Sequence, residues 1–263
     1  MLILTLVQKL QKMKQRTLHR LIIVAAMLLA ALSVHSQTRV PDEDVIVDRI
    51  MDSQSAYYYP NLMMRYRSGD TALTDEEYFY LYYGFAYDDN YRPLDSNPAL
   101  DRFFGLVERL NVDAPDADLL RTLIVTGEEV MVRDPFSPKV LNVMAYSYGA
   151  LGESQKERAY YNHLTNIIRV IESSGDGTTE KSPRHVLMFS HARDVLASHG
   201  LEFRTSKLMS RSVEYIPLER PDGRVKGYYF DYSRIYRHRP EKTDYERPRT
   251  WQFNNLKPRK YKH

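Results

Sequence analysis

Hydrophobic positions change their period along the chain. From residue 37 to about 173 they recur three and four apart, the spacing of helices with one buried face. Thr74 and Glu77 form a capping box, in which the Thr74 hydroxyl accepts from the Glu77 backbone and the Glu77 carboxylate returns to Thr74. Behind it, Tyr78, Leu81, Tyr82 and Phe85 make one apolar stripe. Asn97-Pro98 supplies a cap and a first-turn proline for a helix through Phe103, Phe104, Val107 and Leu110. Leu119, Leu120, Leu123, Ile124 and Met131 mark the next. Ser137-Pro138 starts a helix that Gly152 stops. Ser154 starts another, with Leu164, Ile167, Ile168 and Ile171 on one face and Gly175 closing it. So short a link between two amphipathic helices predicts an antiparallel hairpin.

Past Gly175 the texture changes. Ser182-Pro183 to Gly200 has the cap, first-turn proline and terminal glycine of a helix, but Val186-Leu187-Met188-Phe189 also fits a short strand, and periodicity leaves both open. Val213 to Leu218 alternates, Pro221-Asp222-Gly223 is a turn, and Val225 to Ile235 alternates again, which predicts a β-hairpin. Pro217 lacks an amide donor and predicts a place for its strand at a sheet edge. Together these patterns predict an α+β fold. A helical layer of repeat-like hairpins over 44–173 is followed by a small antiparallel β-sheet over 185–236, all in one domain spanning 37–236. Residues 237–263 are polar, basic and proline-dotted and read as a mobile tail.

The first 36 residues have a different character. Lys9, Lys12, Lys14, Arg16 and Arg20 form a positive region without an acid, and Leu21 to Leu32 is an unbroken apolar run. The run suits a signal core and is short for a membrane span. Val34 and Ser36 are small enough for a signal peptidase, which places cleavage between Ser36 and Gln37. The expectation is an exported protein, periplasmic or secreted, with no membrane span in the mature chain.

Composition sharpens this picture in three places. The 263 residues include 21 Tyr against 9 Phe and 1 Trp, so aromatic packing comes with hydroxyls attached; half-buried packing positions and a ligand-stacking surface are the two uses of such a surplus. No cysteine is present, which removes disulfides, thiolate metal sites and a cysteine nucleophile. The net charge of +3 hides segregation: residues 37–120 hold 7 basic and 17 acidic side chains, residues 204–263 hold 16 and 7. Both ends read as solvated faces, or the basic end docks on the acidic helices or on an anionic envelope polymer.

Familiar catalytic patterns are missing. The sequence has no G-x-S-x-G elbow, no phosphate loop and no H-E-x-x-H helix. Gly175-Asp176-Gly177 lacks the third glycine of a dinucleotide fingerprint and follows a helix. Asp176, Thr178 and Glu180 alternate as in calcium loops, but two carboxylates are too few for a cage, and a tight turn with Gly175 and Gly177 at positive φ is expected instead. His185, His191 and His199 lack the i,i+4 spacing of metal ligands and read as surface or edge histidines. The tail interleaves Arg247, Trp251, Phe253 and Lys257 in a way that suits a nucleic-acid strand, but export argues against that partner. No catalytic residue, metal site or cofactor is predicted.

Two resemblances add to this reading. Leu141, Met144, Ala145, Tyr148 and Gly152 resemble the first helix of a tetratricopeptide repeat, although Glu157 departs from the second and no second copy is visible. The blocks Tyr57-Tyr58-Tyr59-Pro60, Arg65 to Thr71, Leu73 to Tyr78 and Leu81 to Phe85 resemble a domain-of-unknown-function family of exported Bacteroidetes proteins, as do Ser174-Gly175-Asp176-Gly177 and Gly227-Tyr228-Tyr229-Phe230-Asp231. That resemblance spans about residues 40–235. It implies export and a helical-plus-β domain, and it carries no activity or catalytic residue. The expected function is an exported interaction or binding module for a protein or envelope polymer, with Tyr83, Tyr91 and Asp176 on its exposed surface. The alternative is a carboxylate-dependent hydrolase acting on envelope polymer or glycan.

Overall fold

A computed structural model describes residues 38–237. The segment expected to be a signal, with the expected cleavage between Ser36 and Gln37, and all of the expected tail except Arg237 lie outside the described residues. Nine α-helices and four strands occur among them, giving an α+β fold. The helical part contains α1 (Glu43–Met51), α2 (Tyr59–Arg67), α3 (Asp75–Gly84), α4 (Pro98–Val107), α5 (Ala117–Met131), α6 (Pro138–Ala150) and α7 (Ser154–Ser173). The second part contains β1 (Arg184–His185), α8 (Phe189–Ser198), β2 (Lys207–Leu208), β3 (Val213–Asp222), β4 (Val225–Asp231) and α9 (Ser233–Arg237). No helix among the described residues is long and apolar enough to cross a membrane.

Helix starts follow local chemistry. The Thr74–Glu77 capping box is formed in both directions. Asp42, Asp116 and Ser137 cap α1, α5 and α6 with side-chain oxygens. Asn97 makes no cap; its amide donates instead to the Val130 carbonyl, tying the start of α4 to α5. The loop after α6 turns at Gly152, whose φ of 80° is the left-handed conformation that glycine adopts without strain.

The stripe expected on α3 is a full circumference. Every residue from Tyr78 to Gly84 is buried. No charge falls between Glu77 and Asp88, so the helix has no face for water and lies in the middle of the molecule, against α1, α2 and α7. The cluster around it also takes in Val186, Leu187, Val195, Leu196, Ile216 and Phe230, so helices and sheet share one core. A second, smaller core of Phe103, Leu123, Val130, Val140 and Met144 joins α4, α5 and α6.

Residues 183–199, left open by periodicity, form a strand and then a helix. β1 lies parallel to β4, pairing Arg184 with Phe230 and His185 with Asp231. The sheet order is β1-β4-β3-β2, so the antiparallel hairpin β3–β4 is extended by a parallel strand into a mixed sheet. Pro217 does not mark an edge, because β3 has neighbours on both sides. The Pro217 carbonyl accepts from Arg204 N–H on the β2 side, and a residue's N–H and C=O share a side of the strand. Its missing donor therefore faces away from β4, where pairing is already sparse.

Candidate functional site

Tyrosines of the core are joined to histidines and carbonyls through their hydroxyls. On α3, Tyr78 and Tyr82 lie one turn apart and reach different elements. Tyr78 Oη is 2.6 Å from His163 Nδ1 on α7, and Tyr82 Oη is 2.8 Å from His191 Nδ1 on α8. Each hydroxyl also accepts a second bond, from Asn162 Nδ2 at 3.2 Å and from Leu187 N–H at 3.1 Å. A hydroxyl can accept twice, so the direction of each Tyr–His bond follows the imidazole tautomer: with the ring proton on Nε2, Nδ1 accepts from the tyrosine. For His191 that proton points at the Asp134 carboxylate, 3.1 and 3.2 Å away. Tyr66 Oη donates to the Pro135 carbonyl at 2.7 Å.

Tyr83 and Tyr91 belong to this interior, not to an exposed surface. Tyr83 is 0% exposed and Tyr91 2%. Their hydroxyls donate to the His185 and Leu187 carbonyls at 3.0 and 2.8 Å, pinning the β1–α8 connection to the helical part. Tyr83 lies off the Tyr78–Leu81–Tyr82 stripe, but a helix buried all round has no outer side. Tyr91 follows a polar loop whose acids face water while the ring turns inward against Phe85. His191 is likewise 1% exposed rather than at the surface. His163, in no cluster by sequence, is buried between Tyr66 and Tyr78. Burial pushes the His163 pKa down to about 4, against upward pulls from the Tyr66 backbone and Asp70. His185 is lowered to about 4 by burial, with Asp231 pulling up and Arg234 pushing down.

Asp176 is exposed, but its carboxylate is used within its own turn. Oδ1 accepts from the Thr178 N–H and hydroxyl at 2.6 and 2.7 Å. Partial burial pushes its pKa up, yet these bonds, Ser182 and the Arg184 charge hold it below the usual value. Of the two neighbouring glycines only Gly177 has positive φ, at 69°. Gly175 is required for another reason: a Cβ there would lie 2.0 Å from the Pro183 carbonyl oxygen. Gly177 C=O accepts from Tyr229 N–H at 2.7 Å, and Ser174 Oγ from His185 N–H at 2.8 Å. The Ser174–Gly177 and Gly227–Asp231 blocks, about fifty residues apart in sequence, are thus one joint between turn and sheet.

Open clefts lie elsewhere. A cleft of ≈ 800 Å³ runs between the C-terminal end of α2, α5 and α7. Tyr148 and Tyr160 stack in its wall with centroids 5.2 Å apart and planes at 23°. Lys156 Nζ sits 4.7 Å from the Tyr148 ring centroid, Tyr148 Oη donates weakly to Glu128 at 3.4 Å, and His163 and Tyr66 also line it. Burial and the Glu128 charge push Tyr148 up to about 12, so it remains a neutral hydroxyl. Sequence reasoning missed this cleft because its residues come from five separate segments. The one local signal was Tyr148, which the sequence placed in the stretch resembling the first helix of a tetratricopeptide repeat. A second groove of ≈ 950 Å³ between α7 and α8 holds Lys139, Arg169, Glu172, Arg193 and Asp194. Among the described residues no group of three or more His, Asp or Glu is placed to hold a metal ion.

Fold and cleft together define an α+β domain with a buried, tyrosine-rich central helix and a ligand-sized cleft flanked by helices. The chain belongs to the family described as domain of unknown function DUF4919, whose model matches residues 44–240. No curated protein and no solved structure matches it.

Proposed function

We propose that this protein is an exported binding module that takes a segment of an envelope polymer or of a protein partner in the cleft between α2, α5 and α7. The observation that carries this reading is the cleft's lining. Stacked tyrosines offer an apolar face, while Lys156, Glu128 and Gln155 offer polar groups around it, the composition of a ligand pocket rather than of a packing defect. The consecutive helices α4 to α7 resemble repeat modules, which bind along the surfaces that stacking leaves open. Export rests on the Leu21–Leu32 core and the Ser36–Gln37 junction.

The hydrolase reading has one observation in its favour: Asp194, raised by burial, shares the second groove with Glu172. Against it, Glu172 is engaged by His199 at 2.7 Å and Arg184 at 3.4 Å, and Asp194 Oδ2 is shielded from solvent without a hydrogen-bond partner. Paired-carboxylate chemistry needs two accessible, convergent groups. Binding is therefore preferred.

Two measurements test the proposal. N-terminal sequencing of protein recovered from the periplasm or medium should begin at Gln37; a cytosolic, unprocessed chain refutes export. Titration calorimetry against envelope-polymer fragments and pulled-down partners should show saturable binding that Tyr160→Ala weakens at least about thirtyfold, the effect of truncating an aromatic anchor. Binding untouched by Tyr160→Ala and Glu128→Gln would move the site away from this cleft.

A further inference from the structure

The cleft already holds an ammonium of its own. Lys156 Nζ lies 4.7 Å from the Tyr148 ring centroid and 2.8 Å from Glu153 Oε2. Half-buried Tyr160 stacks on Tyr148, so the cation meets an aromatic wall beside a carboxylate. Glu128, exposed on α5, adds a second carboxylate. Its Oε1 is 3.4 Å from Tyr148 Oη, and among the described residues it forms no ion pair. Lys156 is held above the ordinary lysine value, first by its bond to Glu153, against some desolvation, and then by the Glu153 and Glu128 charges. Rings and acids from α5, α6 and α7 thus converge on one cation.

That cation is loosely held. It ends a flexible four-carbon stem, its side chain is 58% exposed, and its partner Glu153 is an exposed neighbour three residues back on the same helix. Such pairs hold weakly. Lys156 can swing into water and leave the rings and Glu128 in place. An ammonium over an aromatic face is attracted whatever chain it comes from. His163, in the same lining, has its pKa pushed down to about 4 by burial, so it is neutral at ordinary pH and adds no opposing charge. Arg67, at the α2 end of the lining, is the group an acidic ligand would choose instead.

We infer that the cleft recognises a lysine side chain of a partner protein, which displaces Lys156 and sets its ammonium against the Tyr148–Tyr160 wall beside Glu128. The inference rests on the cleft being the binding site and narrows what enters it. The present occupant is a primary ammonium at the tip of a slender stem, and a partner's lysine has the same shape and charge. An amino sugar carries its ammonium directly on a bulky ring and does not. Lys156 is then an internal competitor, so its removal strengthens binding. An acidic ligand reverses both signs: it is held by Lys156 and Arg67 and repelled by Glu128.

The methyl groups of Met131 and Ala159 line the cleft, and their NMR shifts in the full chain report its occupancy locally. An oligolysine peptide should shift both, saturably. The same peptide acetylated on its side chains, an oligoglutamate and a glucosamine oligomer should not. Lys156→Gln should tighten oligolysine binding about threefold to fivefold, and Glu128→Gln should weaken it by a similar factor, the range of one exposed cation–aromatic or ion-pair contact. Lys181→Gln, an exposed cation outside the lining, should change nothing. Weaker binding with Lys156→Gln, or equal shifts from the acetylated peptide or the oligoglutamate, would overturn the inference and leave the cleft standing as a site for another ligand. Equal shifts from the glucosamine oligomer would overturn it in favour of an amino sugar. Tightening by Lys181→Gln to match Lys156→Gln would reduce the effect to overall charge and overturn it too. Silence of both methyls with oligolysine also sinks it, whereas the cleft itself falls only if partner binding is indifferent to Tyr160→Ala.

Discussion

Tyr82→Phe is the sharpest probe of what the tyrosine surplus does. The substitution preserves the ring and removes one oxygen, so it opens no cavity of consequence. That oxygen serves two buried partners, accepting from Leu187 N–H and donating to His191 Nδ1. Each group left unpaired costs about 1–3 kcal/mol, and two of them set the expected loss at about 2–6 kcal/mol. Tyr83→Phe is the comparison: its hydroxyl donates to the His185 carbonyl and also meets Ser174, whose Oγ keeps other partners at Ile171 and His185, so its removal should cost about 1 kcal/mol. Urea unfolding followed by circular dichroism separates them. At a slope of about 3 kcal/mol/M, Tyr82→Phe should lower the midpoint by about 0.7–2 M and Tyr83→Phe by about 0.3 M. A double-mutant cycle with Asp134→Asn should give a coupling of about 0.5 kcal/mol or more, because the three groups form one chain. If Tyr82→Phe costs no more than Tyr83→Phe, the hydroxyl is not what joins α3 to α8, and the surplus of tyrosine over phenylalanine has another cause.

Two further predictions follow from burial and close approach. His163 titrates near 6.5 when unfolded and near 4 when folded, so the unfolded chain takes up the proton first. The stability present above 6.5 is lost as pH falls toward 4, by up to about 3 kcal/mol for this residue, and His185 contributes in the same direction. Unfolding midpoints measured across that window should fall steeply for the native chain and less for His163→Gln; equal slopes would refute the assignment. Gly175→Ala drives a Cβ into backbone at Pro183 and should cost more than about 3 kcal/mol, whereas Gly223→Ala, at φ 59° with open space around it, should cost about 1 kcal/mol, both read from thermal midpoints.

What the sequence determined by itself is local. Caps, first-turn prolines and terminal glycines act within a few residues, and the start of α3 at Thr74, of α6 at Ser137 and the stop at Gly152 all follow from them. The hairpin β3–β4 follows equally from alternation around Pro221-Asp222-Gly223. The α+β class is the sum of such signals. Burial is a different matter, because it depends on what arrives from far along the chain. The polar loop before Tyr91 and the offset of Tyr83 from its stripe both suggested exposure, yet both hydroxyls find carbonyls about a hundred residues away. His191 read as a surface residue until Tyr82 and Asp134, from two other segments, enclosed it. The parallel placement of β1 and the cleft between α2, α5 and α7 are likewise tertiary, since neither exists until separate segments meet. Local patterning settles which conformation each segment takes. Only packing settles which side chains lose contact with water, and in this protein that decides which tyrosines hold the fold together and which remain available to a ligand.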